Sequence, residues 1–246
     1  MSSQQGLKNM PKFNYYISNI GDGNIGFNNY CSPEDTILNR DNLMKKFGFS
    51  LNNLVAMRQV HSRNVELIDS SLMGRGARSP EDAIIDADAM ITSTKGIVLM
   101  AQSADCSLIS IYDSVNSVIG VVHAGWRGVV NGIVPKTIDI MKKNYGSSLE
   151  NLRVIISPHA HVCCYEVGEE LRKEFYMFPE EIYRKDRAKL FIDIEKALHW
   201  QINSYGVPSN NILPNNICTI CNEQYFSYRR QGIVSAGRFG MFVWME

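Results

Sequence analysis

Residues 104–128 read Ala104-Asp105-Cys106-Ser107-Leu108-Ile109-Ser110-Ile111-Tyr112-Asp113 and, after Ser114-Val115-Asn116-Ser117, Val118-Ile119-Gly120-Val121-Val122-His123-Ala124-Gly125-Trp126-Arg127-Gly128. The β-branched and apolar stretches 108–112 and 118–123 predict two strands. The glycine-punctuated exit leads into residues 129–145, whose spacing predicts a helix closed by Gly146, with Pro135 implying a kink or a late start. A side chain at a strand end, just ahead of a helix N-terminus, stands at a sheet edge beside free N–H groups that suit an anion. Cys106 before the first strand and His123 at the end of the second both hold such positions, where sites are commonly built on a rigid scaffold.

Working outward, strands are expected at 12–18, 54–60, 65–68, 89–92, 97–101 and 152–157. The Gly74, Gly76 and Pro80 stretch within 70–87 reads as a mobile loop. A first helix is expected from Ser32, with Pro33 at its first position and Asp35 as the capping acid. Leu38, Leu43 and Met44 would form its apolar side, and Gly48 its stop. Residues 166–178 and 193–205 have helical spacing, and the chain from Tyr225 reads as strand, turn and strand. Strands outnumber helices early and the two mix later, which points to an α+β fold and not to a strict βαβ series.

The 246 residues show no repeat, low-complexity tract or Pro/Gly/Ser-rich linker, so they make one large domain or two small ones. Basic and acidic residues number 25 each, which leaves no broad electrostatic footprint for a nucleic-acid polymer or an anionic membrane. The opening Met1-Ser2-Ser3-Gln4-Gln5-Gly6 lacks an apolar signal core, and no apolar run reaches membrane-span length, so a cytoplasmic protein is expected. Six cysteines in such a chain argue for thiols, ligands or nucleophiles over a disulfide framework.

His61, Cys106 and His123 make a ligand set that suits Zn²⁺ and leaves a fourth tetrahedral position open. Each has an ordinary alternative: a hydrogen-bonded structural histidine at a strand end, or a small buried cysteine. Cys218-Thr219-Ile220-Cys221 has redox or half-site spacing, but the sequence offers no second pair at zinc-finger distance, which favours two ordinary thiols. Cys163-Cys164 lies close to His159 and His161 and resembles a soft-metal site, although adjacent residues in a strand or turn point in different directions. The H-x-E and P-C-x-x-C pattern of zinc cytidine deaminases is absent, since His61 is followed by Ser62-Arg63 and Cys218 is preceded by Ile217. A phosphate loop and a G-x-S-x-G elbow are also missing from the sequence. Arg229, Arg230 and Arg238 place three guanidiniums near the end of the chain, in a form that matches phosphate or carboxylate, or an ordinary solvated cluster.

Gln59-Val60-His61, Ala104-Asp105-Cys106, His123-Ala124-Gly125-Trp126-Arg127-Gly128, Cys163-Cys164-Tyr165-Glu166-Val167-Gly168 and Phe226-Ser227-Tyr228-Arg229-Arg230 occur in that order. In combination they resemble the laccase-domain (YfiH-type) family, also called multicopper polyphenol oxidoreductases and later purine nucleoside phosphorylases. Asn39-Arg40 resembles a further element of it. The resemblance implies a single-domain α/β/β/α layered sandwich with mixed sheets over residues 1–246. It implies zinc, alternatively copper, on His61, Cys106 and His123. The implied activities are phosphorolysis of adenosine, inosine, guanosine and methylthioadenosine, and deamination of adenosine.

Within that reading Asp105 is a candidate catalytic or ligand-orienting group. Arg58, Gln59, Arg127, Tyr228, Arg229, Arg230 and Arg238 are candidates for holding nucleoside and phosphate. Alternatives are copper-dependent phenol oxidation, a cysteine hydrolase with Cys106 as nucleophile, a peptidoglycan-precursor editing enzyme, and a metal-stabilised interaction module with no activity. Five histidines are too few for a full multicopper set. Ser62, Leu108 and above all Ser157-Pro158-His159-Ala160-His161-Val162 depart from the family's pattern, which puts substrate preference in doubt.

Overall fold

The computed structural model describes residues 8–10, 13–28, 30–232 and 234–246, so the polar opening Met1–Gly6 and Lys12 of the first expected strand lie outside the described residues. Three sheets and six α-helices are present among the described residues. A five-stranded mixed sheet runs, in spatial order, Lys8–Met10, Phe13–Ile17, Phe239–Trp244, Val98–Ser103 and Leu54–Ala56. A six-stranded mixed sheet runs Ile212–Leu213, Leu152–Ile156, Ser107–Asp113, Val118–Ala124, Ala89–Thr92 and Val65–Leu67. A small antiparallel sheet of Glu166–Val167, Lys189–Ile192 and Tyr183–Asp186 stands apart from both.

The two large sheets pack face to face through Leu99, Ala101, Met241 and Val243 of one and Leu108, Tyr112, Ile119 and Val121 of the other. The outer face of the six-stranded sheet is covered by helices Ile133–Tyr145 and Ile194–Ser204. The outer face of the five-stranded sheet is covered by helix Pro33–Lys46 through Leu43 and Met44. This is the expected α/β/β/α layering. It explains why every residue of Ser107–Asp113 and Val118–Ala124 is buried: both faces are covered, so no polar alternation is needed. These two strands pair antiparallel, with Leu108 opposite His123, and their turn is held by Asp113, whose carboxylate accepts the Val115 and Asn116 amides.

Local chemistry decides most element ends as expected. Ser32 caps the first helix by accepting the Asp35 amide, and Asp193 caps Ile194–Ser204 through Lys196. Other expectations are corrected. The strand expected over 54–60 ends at Ala56. Leu38 is exposed, and Thr36 and Arg40 join Leu43 and Met44 on the buried stripe instead. The helix expected over 129–145 is two, Trp126–Val130 and Ile133–Tyr145, parted at Gly132 in the left-handed region (φ 70°), so Pro135 falls in a first turn where its missing N–H costs nothing. Helix is confined to Glu169–Glu174 within 166–178, because Glu166–Val167 pairs with Lys189–Ile192 as strand. Past Tyr225 the first strand is replaced by helix Tyr228–Gln231, which Ser227 caps through the Arg230 amide.

Residues 70–87, expected as a mobile loop, are tied to the body. The buried Arg40 donates to the carbonyls of Gly76 and Ala77, and Ile84 bridges to Met57. No described helix is long and apolar enough to cross a membrane.

Candidate active site

The chain passes from the five-stranded sheet to the six-stranded one through Ala104-Asp105-Cys106, between Val98–Ser103 and Ser107–Asp113. Ser107 pairs with Ala124, so Cys106 comes opposite Gly125 and close to His123. His61 arrives on the loop that follows Leu54–Ala56. The three donors therefore converge where the sheets exchange strands, with their ligating atoms within 4.8 Å of one another. Cys106 Sγ lies 3.9 Å from His61 Nε2, and the two imidazoles stand edge to face with centroids 4.8 Å apart.

Asp88, buried completely, organises this convergence. Its Oδ1 lies 2.8 Å from His123 Nδ1 and accepts the His61 amide, while its Oδ2 accepts the amides of Val60 and Ser62 and the Ser62 hydroxyl. Three successive N–H groups on one carboxylate form an anion-binding turn, which holds His61 at a left-handed φ of 59°. An Nδ1–H donated to Asp88 turns Nε2 of His123 toward the other donors, where a metal would displace the proton held there; this is the carboxylate–histidine pairing common around metal sites.

Burial opposes charge on Asp88, Cys106 and His123 alike, and their mutual contacts outweigh it. His123 and Ser62 bring the Asp88 carboxyl down to about 2. The two imidazoles bring the Cys106 thiol down to about 6. Asp88 and Cys106 raise His123 to about 9. The thiol is thus prepared as a thiolate, the form that binds metal.

Gly125 completes the cradle. A Cβ there would meet His61 Cδ2 at 2.8 Å and Cys106 Sγ at 3.1 Å, so a side chain would fill the space between the donors. Above them opens a cavity of about 590 Å³, lined among others by Arg40, Gln102, Asp105, Tyr165, Tyr228 and Arg238. That is a volume typical of a small-molecule site.

The sequence-derived candidates divide on inspection. Arg58, Gln59, Tyr228, Arg229 and Arg238 line the cavity with the three donors. Arg58 is paired with Asp86 at 2.8 Å, and Gln59 clamps the main chain of Gln102 with both ends of its amide. Arg127 stacks on Trp126 and stands beside the cavity instead of lining it. Arg230 is turned away from it, its guanidinium donating to the carbonyls of Thr219, Ile220, Asn222 and Tyr225. Asp105, at a φ of 97°, accepts from Thr219 Oγ1 at 2.6 Å and from the Arg229 amide at 2.7 Å, so both its oxygens brace the cavity wall.

Asp88 and Gly125 were absent from the sequence-derived set. So was Arg40 as a cavity residue. Arg40 is 2% exposed, donates among the described residues to the carbonyls of Ile25, Gly76 and Ala77, and lies 4.4 Å from the centre of the Phe27 ring. A charge on the apolar stripe of a helix, in step with Leu43 and Met44, was the signal available for it.

Comparison with known proteins agrees with this architecture. A purine nucleoside phosphorylase of Clostridium acetobutylicum is 35% identical over 238 residues, covering 94% of this chain and 92% of that protein. An adenosine deaminase from an unknown prokaryotic organism is 32% identical over 203 residues, covering 80% and 77%. In fold, the chain resembles the crystal structure of YlmD from Geobacillus stearothermophilus, with a TM-score of 0.90 at 24% identity over 100% of this chain and 98% of that one. It resembles the hypothetical protein YfiH of Bacillus licheniformis equally, with a TM-score of 0.90 at 20% identity over 98% and 100%. A family model described as multi-copper polyphenol oxidoreductase laccase matches residues 16–246, and the chain belongs to that family.

Proposed function

We propose that this chain is a zinc-dependent purine nucleoside phosphorylase, acting on adenosine, inosine, guanosine and methylthioadenosine, with adenosine deaminase activity. The observation that carries the reading is the meeting of His61, Cys106 and His123 on the floor of a cavity that also presents Arg40 and Arg238. Neither arginine is in an ion pair with a carboxylate among the described residues; both donate to main-chain carbonyls. The names of the relatives from Clostridium acetobutylicum and the unknown prokaryote support the same activities.

The residues fit a bound zinc: one thiolate, two imidazoles, a tautomer fixed by Asp88, and a glycine that keeps the space between them clear. A zinc held by His61, Cys106 and His123 would supply Lewis-acid polarisation of a substrate atom. In phosphorolysis, phosphate attacks the ribose C1′ as the purine leaves, and positive charge develops on the sugar. Arg40 and Arg238 hold the phosphate, uncompensated buried guanidiniums being the strongest anion donors on the wall. Tyr165 and Tyr228 offer aromatic faces to the base. Asp105 positions Arg229 and Thr219 through one hydrogen bond to each of its oxygens, and the remaining lone pairs leave it the candidate proton-handling group of the wall.

The test is to incubate zinc-loaded protein with adenosine and phosphate and measure adenine, ribose 1-phosphate and inosine against a Cys106→Ala control. Formation of none of these above the control would sink the proposal. Oxygen uptake with a phenol, in proportion to bound copper, would replace it with the oxidase description of the family.

A further inference from the structure

The sequence separates Cys163-Cys164 from Cys218 and Cys221 by more than fifty positions, but the fold brings them together. All four sulfurs lie within 4.8 Å of one another, and none is in a disulfide. Residues 162–164 form a turn. There, neighbouring side chains diverge by about 100° and not by the 180° of a strand, so both thiols of a vicinal pair can face one point. The second pair is brought in by the main-chain bridge between His159 and Cys218, continued by the Thr219 amide on the His159 carbonyl.

We propose that Cys163, Cys164, Cys218 and Cys221 form a second metal site, a tetrahedral four-thiolate zinc site separate from the cavity. Zn–S bonds of about 2.3 Å place the sulfurs of such a site about 3.8 Å apart. The observed separations therefore need at most about 1 Å of closure, which metal binding supplies as the thiol protons are released. Four sulfurs at tetrahedral spacing favour zinc or iron over the harder cations. Hydrogen bonds to the sulfur suit a bound thiolate: Cys218 Sγ accepts the His161 amide at 3.5 Å and faces the amides of Ile220 and Cys221. Cys218 is buried while Cys163 and Cys221 are exposed, so the site is anchored on one side and open to metal on the other.

The location gives the site a task. Cys164 directly precedes Tyr165, which lines the cavity, and Thr219 within the C-x-x-C hydrogen-bonds Asp105. Arg230 fastens the same 219–225 segment to the helix that carries Tyr228 and Arg229. Zinc there would lock two walls of the cavity together without touching substrate.

Zinc content of the purified, reduced full chain tests this by difference. Cys218→Ser/Cys221→Ser should hold one zinc per chain fewer than the unsubstituted protein, whatever is held by the His61 site or by His159, His161 and Glu195, whose donor atoms also lie within 4.8 Å of one another. Equal zinc in the two overturns the proposal. If the double variant fails to fold, cobalt loading of Cys106→Ala answers the same question, because that variant keeps no thiolate at the cavity. A strong thiolate-to-cobalt charge-transfer band with tetrahedral d–d bands is expected, and its absence overturns the proposal. Iron with sulfide, or a Cys163–Cys164 or Cys218–Cys221 disulfide in protein alkylated at lysis, overturns it as well. The result does not depend on the nucleoside assay, so either proposal can fail alone.

Discussion

Replacing Asp88 with asparagine changes one atom type at the point where the site is organised. The carboxylate receives hydrogen bonds from Val60, His61, Ser62 and His123, and it is fully buried. An asparagine can keep its oxygen toward His123 and the His61 amide, but its NH₂ then meets the amides of Val60 and Ser62. Two part-buried N–H groups lose their acceptor, and because Val60 is exposed and Ser62 half-buried the loss sits at the low end of about 1–3 kcal/mol each, a destabilisation of about 2 kcal/mol in the metal-free protein. With the amide reversed, the NH₂ faces His123 Nδ1 and forces the proton onto Nε2, the atom a metal needs. Either way zinc affinity should fall by about 10–100-fold, the usual effect of losing a ligand's orienting partner. Urea unfolding of the metal-free protein and competition for zinc against a chromophoric chelator read the two effects separately. Asp86→Asn is the control: its pairing with Arg58 is exposed and should contribute about 0–1 kcal/mol. Unchanged unfolding and unchanged zinc affinity in Asp88→Asn would refute the reasoning.

Gly125→Ala should lose zinc while costing only about 1–3 kcal/mol of stability, because its backbone (φ −64°, ψ 167°) suits alanine and only the new Cβ collides with His61 and Cys106. A variant that loads zinc like the parent would show that the donors do not need that space. Arg238→Gln should raise the KM for phosphate about tenfold or more, a charge-assisted hydrogen bond being worth about 1.5–3 kcal/mol, with less change in the KM for nucleoside; the opposite split would remove Arg238 from the phosphate site.

Glu195→Gln should flatten the pH dependence of stability between about 6.5 and about 8. Burial raises the folded Glu195 carboxyl to about 8, so the folded state keeps a proton that the unfolded state has released, and stability falls as pH rises through that window. His159, which burial and His161 bring down to about 3, works in the opposite sense between about 3 and about 6.5, where the unfolded imidazole is protonated and the folded one is not, so the Glu195 contribution is read above about 6.5; Asp193 adds to the rise on Glu195. Melting temperatures at the two ends of the window check this, and an unchanged slope in Glu195→Gln would contradict it.

Strands were legible wherever apolar, β-branched runs stood between polar turns, as in Ser107–Asp113 and Val118–Ala124. Helix ends were legible where a single side chain decides them, as Ser32 and Asp193 do. What misled the reading was tertiary pairing. Glu166 and Val167 have helical neighbours, but the Lys189–Ile192 strand takes their main-chain groups. Leu38 is apolar, but helix Pro33–Lys46 turns it outward because Arg40 has carbonyls to reach on the inner side.

The site shows the same division at higher stakes. His61, Cys106 and His123 were legible because few donor sets suit zinc and Cys106 and His123 sit at strand ends, while His61 stands on the loop beyond Ala56. Asp88 was not, because its role depends on three amides turning toward it, and an Asp86-Ala87-Asp88 run does not say which acid goes inside. Arg40 and Arg230 were opposite cases. Arg40 belongs to the Asn39-Arg40 element, far in sequence from the other motifs, and enters the cavity because its helix packs there; Arg230 lies inside a motif and leaves the cavity because four carbonyls claim it. The cysteines carry the argument one step further. Each pair alone is ambiguous, and only long-range chain crossing at His159 and Cys218 makes them four donors around one point. In this chain, residue type announces the chemistry available, while the partners of the main chain decide which residues are free to perform it.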